Sequence, residues 1–374
     1  MYNRITETDY CTDKYKDWYE YMDNKKKTIK RATVYDVAKM AGTSTATVSR
    51  VLSNSDYPIS KEIRKKVIDA AQKMNYTPNL LGRMLKKSES KDIGVIIPNI
   101  SNPFYPQLVL GIETEAKKHG FNILLCNSFR DVTNEKKYIE SMYQKQVRGI
   151  ILSTISEEHG FLKELCDRGL KIVGFDQNIE DFQCNKITFD FTQAGMMAVD
   201  YLISKGHKKI AFATSPLTRR SRREIFDGYK LGLMKNNIGF SDDLVYIVEL
   251  EKEVENGTFE FQSGVDIAKK CLASANLPTA IFAVNDITAM GIIHGLINSG
   301  IKVPDDISVM GFDNIEFSAM INPPLTTINQ PAFETGRLAC KILIENLEDS
   351  DSNYVSIKLE PTLIERKSVK NLKV

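Results

Sequence analysis

A chain of 374 residues, 42% hydrophobic and 26% charged, has the length for two or three domains and the balance of a soluble globular protein. It holds no run of 18 or more apolar residues, which excludes a spanning helix. Residues 1–23 lack an apolar signal core, so residence in the cytoplasm is expected. The six cysteines are scattered without a C-x-x-C pair and read as reduced thiols, with no metal site and no cofactor implied.

The net charge of +2 conceals an asymmetry. Residues 24–91 carry 16 Lys and Arg against 5 Asp and Glu, whereas residues 1–23 and 92–374 are both net acidic. A compact basic segment on an acidic protein is the electrostatic footprint of a polyanion-binding module.

In chain order, residues 1–31 are an extension read as disordered, acidic and aromatic-rich over residues 1–23, with Met22 as a second candidate start. Residues 32–77 read as three short helices. In TVYDVAKMA, Thr33 and Asp36 have capping-box spacing, and Val34, Val37, Ala38 and Ala41 share a face. Gly42 permits a sharp turn, and Ser44 is a good N-cap for TATVSRVL, whose Val48, Val51 and Leu52 point inward. A third helix from Lys61 to Met74 places Ile63, Val67, Ala71 and Met74 on one face. Two helices joined by a tight turn, the second with a small polar outer face and an Arg, describe a helix-turn-helix. Thr45, Ala46 and Arg50 are then the candidates for reading base edges, and Tyr35, Ser44 and Thr47 for holding phosphates. A generic three-helix bundle with a solvated charged face has the same spacing. The segment YTPNLLGRMLKK (76–87), which leads into the hinge and linker at 78–91, alternates Asn79, Arg83 and Lys86 with Leu80, Leu81, Met84 and Leu85. So short a helix is marginal alone, so it needs DNA or a second copy as partner, or else it is a linker.

From residue 92 the pattern changes to short apolar runs alternating with amphipathic helices. DIGVIIP, FNILLCN, RGIILS, LKIVGFD, KKIAFAT, TAIFAV and ISVMGF are the strands. The rhythm predicts doubly wound parallel sheets in two α/β lobes, with a ligand cleft at the strand carboxyl ends.

At these strings, TVYDVAKMAGTSTATVSRVL, NYTPNLLGRMLKK, IGVIIPNISNPFY, LTTINQP and LEPTLIERKS, the chain resembles the lactose/galactose repressor (LacI/GalR) family over residues 32–370. The resemblance implies a helix-turn-helix head, a hinge helix and a periplasmic-binding-protein-like effector core spanning 92–374. It implies base reading by Thr45, Ala46 and Arg50. It also implies a hinge in which Asn79, Arg83 and Leu85 meet the minor groove, with Leu85 as the wedge. The lobes are expected at 92–190 with about 321–350, and at 191–320 with 351–374. The effector positions carried over are Phe104, Tyr105, Asp176, Asp190, Arg219, Ser221, Phe259 and Asp286. Ile225 stands where many relatives have Arg, so a sugar acid held by Arg219 is an expectation beside a neutral sugar. The chain ends soon after Lys367 without a leucine-heptad tail, which points to a homodimer on a palindromic operator.

The function expected is a ligand-responsive repressor of carbohydrate uptake or catabolism genes. A transport-type sugar-binding protein is the alternative, opposed by the basic head. No phosphate-binding loop, dinucleotide fingerprint, nucleophile elbow or metal-spaced His/Cys set occurs, so no enzyme is expected.

Overall fold

The computed structural model describes residues 32–53, 57–76, 90–176, 179, 182–248, 259–349 and 354–373. The extension with Met22, and the hinge residues Asn79, Arg83 and Leu85, lie outside the described residues. The chain divides into two compact units on either side of Ser88.

In the first unit, α1 (Val34–Ala41), α2 (Thr45–Leu52) and α3 (Lys61–Lys73) form the three expected helices. Thr33 and Asp36 make the reciprocal capping box, and Gly42 ends α1 at φ 64°. Val37, Ala38, Val48, Val51, Val67, Ala70 and Ala71 form the small core. Ile63, expected inward, is 38% exposed, because the inner face of α3 runs through Val67, Ala70 and Ala71 instead.

The second unit holds two six-stranded sheets, ordered β11-β5-β4-β3-β1-β2 and β12-β10-β9-β8-β6-β7. The first contains β1 (Asp92–Ile97), β2 (Asn122–Asn127), β3 (Gly149–Leu152), β4 (Lys171–Phe175), β5 (Asn185–Phe189) and β11 (Ser356–Leu359), all parallel. The second contains β6 (Ile210–Thr214), β7 (Val245–Ile247), β8 (Ala280–Ala283), β9 (Ser308–Asp313) and β10 (Thr326–Asn329), with β12 (Thr362–Ile364) antiparallel at its edge. The seven strands read from sequence all appear, each shifted by two residues at most.

Helices cover both faces of each sheet, so the central strands are buried on both sides while the edge strands β2, β7, β11 and β12 stay partly exposed. Lobe 1 carries α4 (Phe104–Lys118), α5 (Val132–Gln144), α6 (Gly160–Asp167) and α11 (Ala332–Glu348); lobe 2 carries α7 (Phe191–Ser204), α8 (Arg220–Lys235), α9 (Phe259–Ala273) and α10 (Asp286–Asn298). The pairs α4–α11, α7–α8 and α9–α10 meet backbone to backbone. A Cβ on Gly111 would lie 2.1 Å from the Phe333 carbonyl oxygen, and one on Gly336 2.0 Å from that of Leu108. Gly195 with Gly228, and Gly264 with Gly291, make the same contact in lobe 2.

The boundaries between lobes differ from the expected ones. Thr326–Asn329 pairs with β9 and belongs to lobe 2, while Ser356–Leu359 pairs with β5 and belongs to lobe 1. The chain therefore crosses at Asp190, at Gln330 and after Leu359, and strand pairing overrides position in the chain.

Candidate functional site

The helix-turn-helix displays its candidate residues in solvent. Tyr35 is 73% exposed, Ala46 and Arg50 are exposed, and Thr45 is half-buried. Ser44 caps α2 by accepting from the Thr47 amide at 3.1 Å, and the two hydroxyls lie 2.9 Å apart. Both hydroxyls thus serve the local fold while remaining accessible at the helix N-terminus. The Arg50 guanidinium rests 4.1 Å from the ring centroid of Tyr57, an exposed cation–π contact that narrows the rotamers of the arginine.

In the core, a cleft opens between the lobes at the carboxyl ends of the strands. Lobe 1 contributes Asn102, Phe104, Tyr105, Arg130 and Asp176, and lobe 2 contributes Arg219, Ser221, Ile225, Glu260, Asn285 and Asp313, among others. Three guanidiniums (Arg130, Arg219, Arg222) face three carboxylates (Asp176, Glu260, Asp313).

Two of these carboxylates are structural counterparts. The tripeptide Gly-Phe-Asp occurs at 174–176 and again at 311–313, at the ends of β4 and β9, which hold the same place in their two sheets. Asp176 has φ 64° and Asp313 φ 112°. Non-glycine residues held at such angles carry backbone strain, a feature that clusters at binding sites. Burial pushes the Asp313 carboxyl well above the usual carboxylate range, and the nearby Asp286, Glu260 and Asp176 push it further. Among the described residues no side chain donates a hydrogen bond to it.

Tyr105 is raised to about 12, chiefly by burial, and accepts a hydrogen bond from Arg219 across the cleft. Arg222 is buried and donates to the Pro216 carbonyl at 2.9 Å, fixing the loop that presents Arg219. Ile225, 3% exposed, gives the cleft an apolar wall.

Five of the eight effector positions named from sequence line this cleft: Phe104, Tyr105, Asp176, Arg219 and Ser221. Three do not. Asp286 is fully buried beneath it, where its carboxylate accepts from the Ile315 amide at 2.9 Å and the Ser318 and Thr327 hydroxyls at 2.5 and 2.6 Å. It braces the turn after Asp313, and its neighbour Asn285 both caps α10 and lines the cleft. Asp190 lies at the first crossing, capping α7 through the Gln193 amide and pairing with Lys358. Burial raises its carboxyl, but Lys358 and the Gln193 amide outweigh that and leave it low. Phe259 is outside the lining, and the next residue, Glu260, takes the place in the cleft. Sequence reasoning missed Asn102, Arg130, Glu260, Asn285, Asp313 and Gln330. For Asp313 the signal was present, as the second copy of Gly-Phe-Asp.

Residues 33–79 match the description "Bacterial regulatory proteins, lacI family", and residues 199–369 match "Periplasmic binding protein-like domain". The chain is 34% identical over 345 residues to the HTH-type transcriptional repressor PurR of Vibrio campbellii, covering 91% of this chain and 99% of that protein. The chain belongs to the lacI family of bacterial regulators. It is likewise 35% identical over 339 residues to the ribose operon repressor of Escherichia coli, covering 90% of this chain and 99% of that one. Among solved structures, the lac repressor dimer bound to operator and the anti-inducer ONPF superposes with a TM-score of 0.78 at 26% identity, covering 91% of this chain and all of that one. As a member of the lacI family, the chain is a DNA-binding transcription repressor responsive to a small ligand, and not an enzyme. No described helix is long and apolar enough to cross a membrane.

Proposed function

We propose that the effector is a small, neutral, hydroxyl-rich ring of the pentose type, bound in the inter-lobe cleft, and that it controls how a homodimer holds a palindromic operator. The observation that carries the ligand class is Asp313. Its strained backbone aims a carboxylate at the cleft, where no side chain donates to it among the described residues. A ligand with several O–H donors satisfies Asp313, while the rings of Phe104, Phe191 and Phe312 cover its C–H faces. A carboxylated sugar brings a further carboxyl group beside Asp176, Glu260 and Asp313, and Arg130 is already engaged by Glu260 at 2.7 Å. The neutral sugar is therefore preferred to the sugar acid suggested by Ile225. The similarity to the ribose operon repressor supports the pentose.

The aromatic walls also favour a planar heterocycle with ring N–H donors, the second reading. In the head, Thr45, Ala46 and Arg50 are the proposed base readers, with Tyr35, Ser44 and Thr47 at the phosphates. The hinge role of Asn79, Arg83 and Leu85 rests on the family resemblance.

Titration calorimetry of the full chain against D-ribose, D-ribonate and a purine base tests the ligand class. Saturable binding of D-ribose alone supports the pentose reading, binding of the base alone replaces it, and tighter binding of D-ribonate overturns it.

A further inference from the structure

We propose that Tyr57 is the positioning residue that fixes which base Arg50 reads; this rests on Arg50 being a base reader of the head. Arg50 lies in the last turn of α2, and its guanidinium carbon sits over the Tyr57 ring, 4.1 Å from the centroid. Both side chains are exposed, Tyr57 to 53%. The ring is nevertheless held by its own stretch of chain. Pro58 restricts the backbone of the preceding Tyr57 to extended conformations. Ile59 packs against the small core of the head, and the Ser60 hydroxyl caps α3 by accepting from the Ile63 amide at 3.3 Å. On the other side of the contact, the Ser53 hydroxyl donates to the Arg50 carbonyl at 3.2 Å and closes the end of α2. Ring and guanidinium are thus carried by segments anchored to the same three-helix core.

An unsupported arginine samples many rotamers, and from one helical position it can reach a guanine edge, the adjacent base pair or a phosphate. The donors of a guanidinium lie in its plane, whereas an aromatic ring engages its face, so the stack leaves the N–H groups for O6 and N7 of a guanine. A contact made before DNA arrives lowers the cost of ordering the side chain, and it strengthens as the interface sheds water. Tyr57 therefore selects among the reaches open to Arg50 without contributing a base contact of its own. The pair is a local exception on a surface where exposed groups act largely one by one.

The full-length protein is compared with Tyr57→Phe, Tyr57→Leu, Tyr57→Ala, Arg50→Ala and the Arg50→Ala/Tyr57→Ala pair. Each selects binding sites from duplexes with a randomised central segment, and affinities are then measured by fluorescence anisotropy on the duplex preferred by the unaltered protein. Tyr57→Ala and Tyr57→Leu are expected to lose base preference at the same position as Arg50→Ala, to keep it elsewhere, and to bind about tenfold more weakly. Tyr57→Phe keeps the ring and should match the unaltered protein. The double variant should bind no more weakly than Arg50→Ala. Tyr57→Leu fills the space of the ring without its electron-rich face, so it carries the test if Tyr57→Ala fails to fold. A merely structural role would lower affinity for every sequence alike, which overturns the proposal. So does an unchanged preference in the Leu and Ala variants, a loss in Tyr57→Phe as large as in Tyr57→Ala, or additive losses in the double variant. The base-reading role of Arg50 is judged separately: it fails if Arg50→Ala changes no base preference, whereas the positioning role fails if Arg50→Ala changes one and the Tyr57 variants do not.

Discussion

The head and the cleft solve recognition under opposite conditions. In the head, Tyr35 is 73% exposed and Arg50 stands in solvent, whereas in the cleft Phe104 and Tyr105 are 5% and 4% exposed. Exposed charges act through water, where salt screens them, and each side chain works nearly alone. The cleft groups are dehydrated and tied to one another, Tyr105 to Arg219 and Arg130 to Glu260. The head should therefore respond to ionic strength and lose function piecemeal. The cleft should respond to pH and to isosteric changes of charge.

The sharpest test of that contrast is salt. If about 6–8 phosphates are neutralised per dimer, the log–log slope of operator affinity should be about −5 to −7, a loss of roughly a thousandfold or more between 50 and 200 mM. Effector affinity over the same range should hardly move. Filter binding and calorimetry read the two quantities, and equal slopes would erase the distinction.

Next in size, Asp313→Asn should weaken effector binding by about 2–3 kcal/mol, on the order of a hundredfold, since it replaces a charged acceptor by an amide. Operator affinity without ligand should be unchanged. Arg50→Ala should cost about 1–3 kcal/mol per half-site and relax the base preference at one position. Competition with single-base operator variants checks this, and an equal loss on random DNA would make Arg50 a phosphate contact instead.

The smallest effect is pH dependence. The Asp313 carboxyl titrates above the ordinary range, so in the free protein it retains a proton at pH values where an ordinary aspartate has lost it. O–H donors select the ionised form, so binding should release a proton. Affinity should fall as pH drops through the raised value and level off above it, by at most about tenfold per unit. Calorimetry in buffers of different ionisation enthalpy detects the proton, and its absence would mean that Asp313 binds protonated.

Much of this was legible in the sequence. The capping box at Thr33 and Asp36, the turn at Gly42 and the seven apolar strands follow from local periodicity, and local periodicity is what the structure preserves. The strands that escaped were β5, β7, β10, β11 and β12, all of five residues or fewer. NKITF alternates polar and apolar residues, and VYI and TLI are too short to announce themselves. The lobe assignment of 321–350 and 351–374 depended on which strand β10 and β11 would join, a long-range choice that no local pattern encodes. The cleft shows the same limit. Phe104 and Tyr105 sit in a conspicuous string, but Glu260 and Arg130 matter because two lobes bring them together. Asp286 was mistaken for a ligand contact because a buried aspartate bracing a turn and one facing a ligand look alike in sequence.

The glycine contacts between helices have a mechanical consequence. Where α4 meets α11, and again at α7–α8 and α9–α10, the backbones touch with no side chain between them to tilt or repack. Such joints have little compliance, so each lobe behaves as a solid block and whatever bending occurs concentrates in the strands near Asp190, Gln330 and Leu359. A bulkier residue at Gly111 or Gly336 would wedge one block open from inside, altering the shape of the wall that carries Phe104 and Tyr105 without touching the cleft itself.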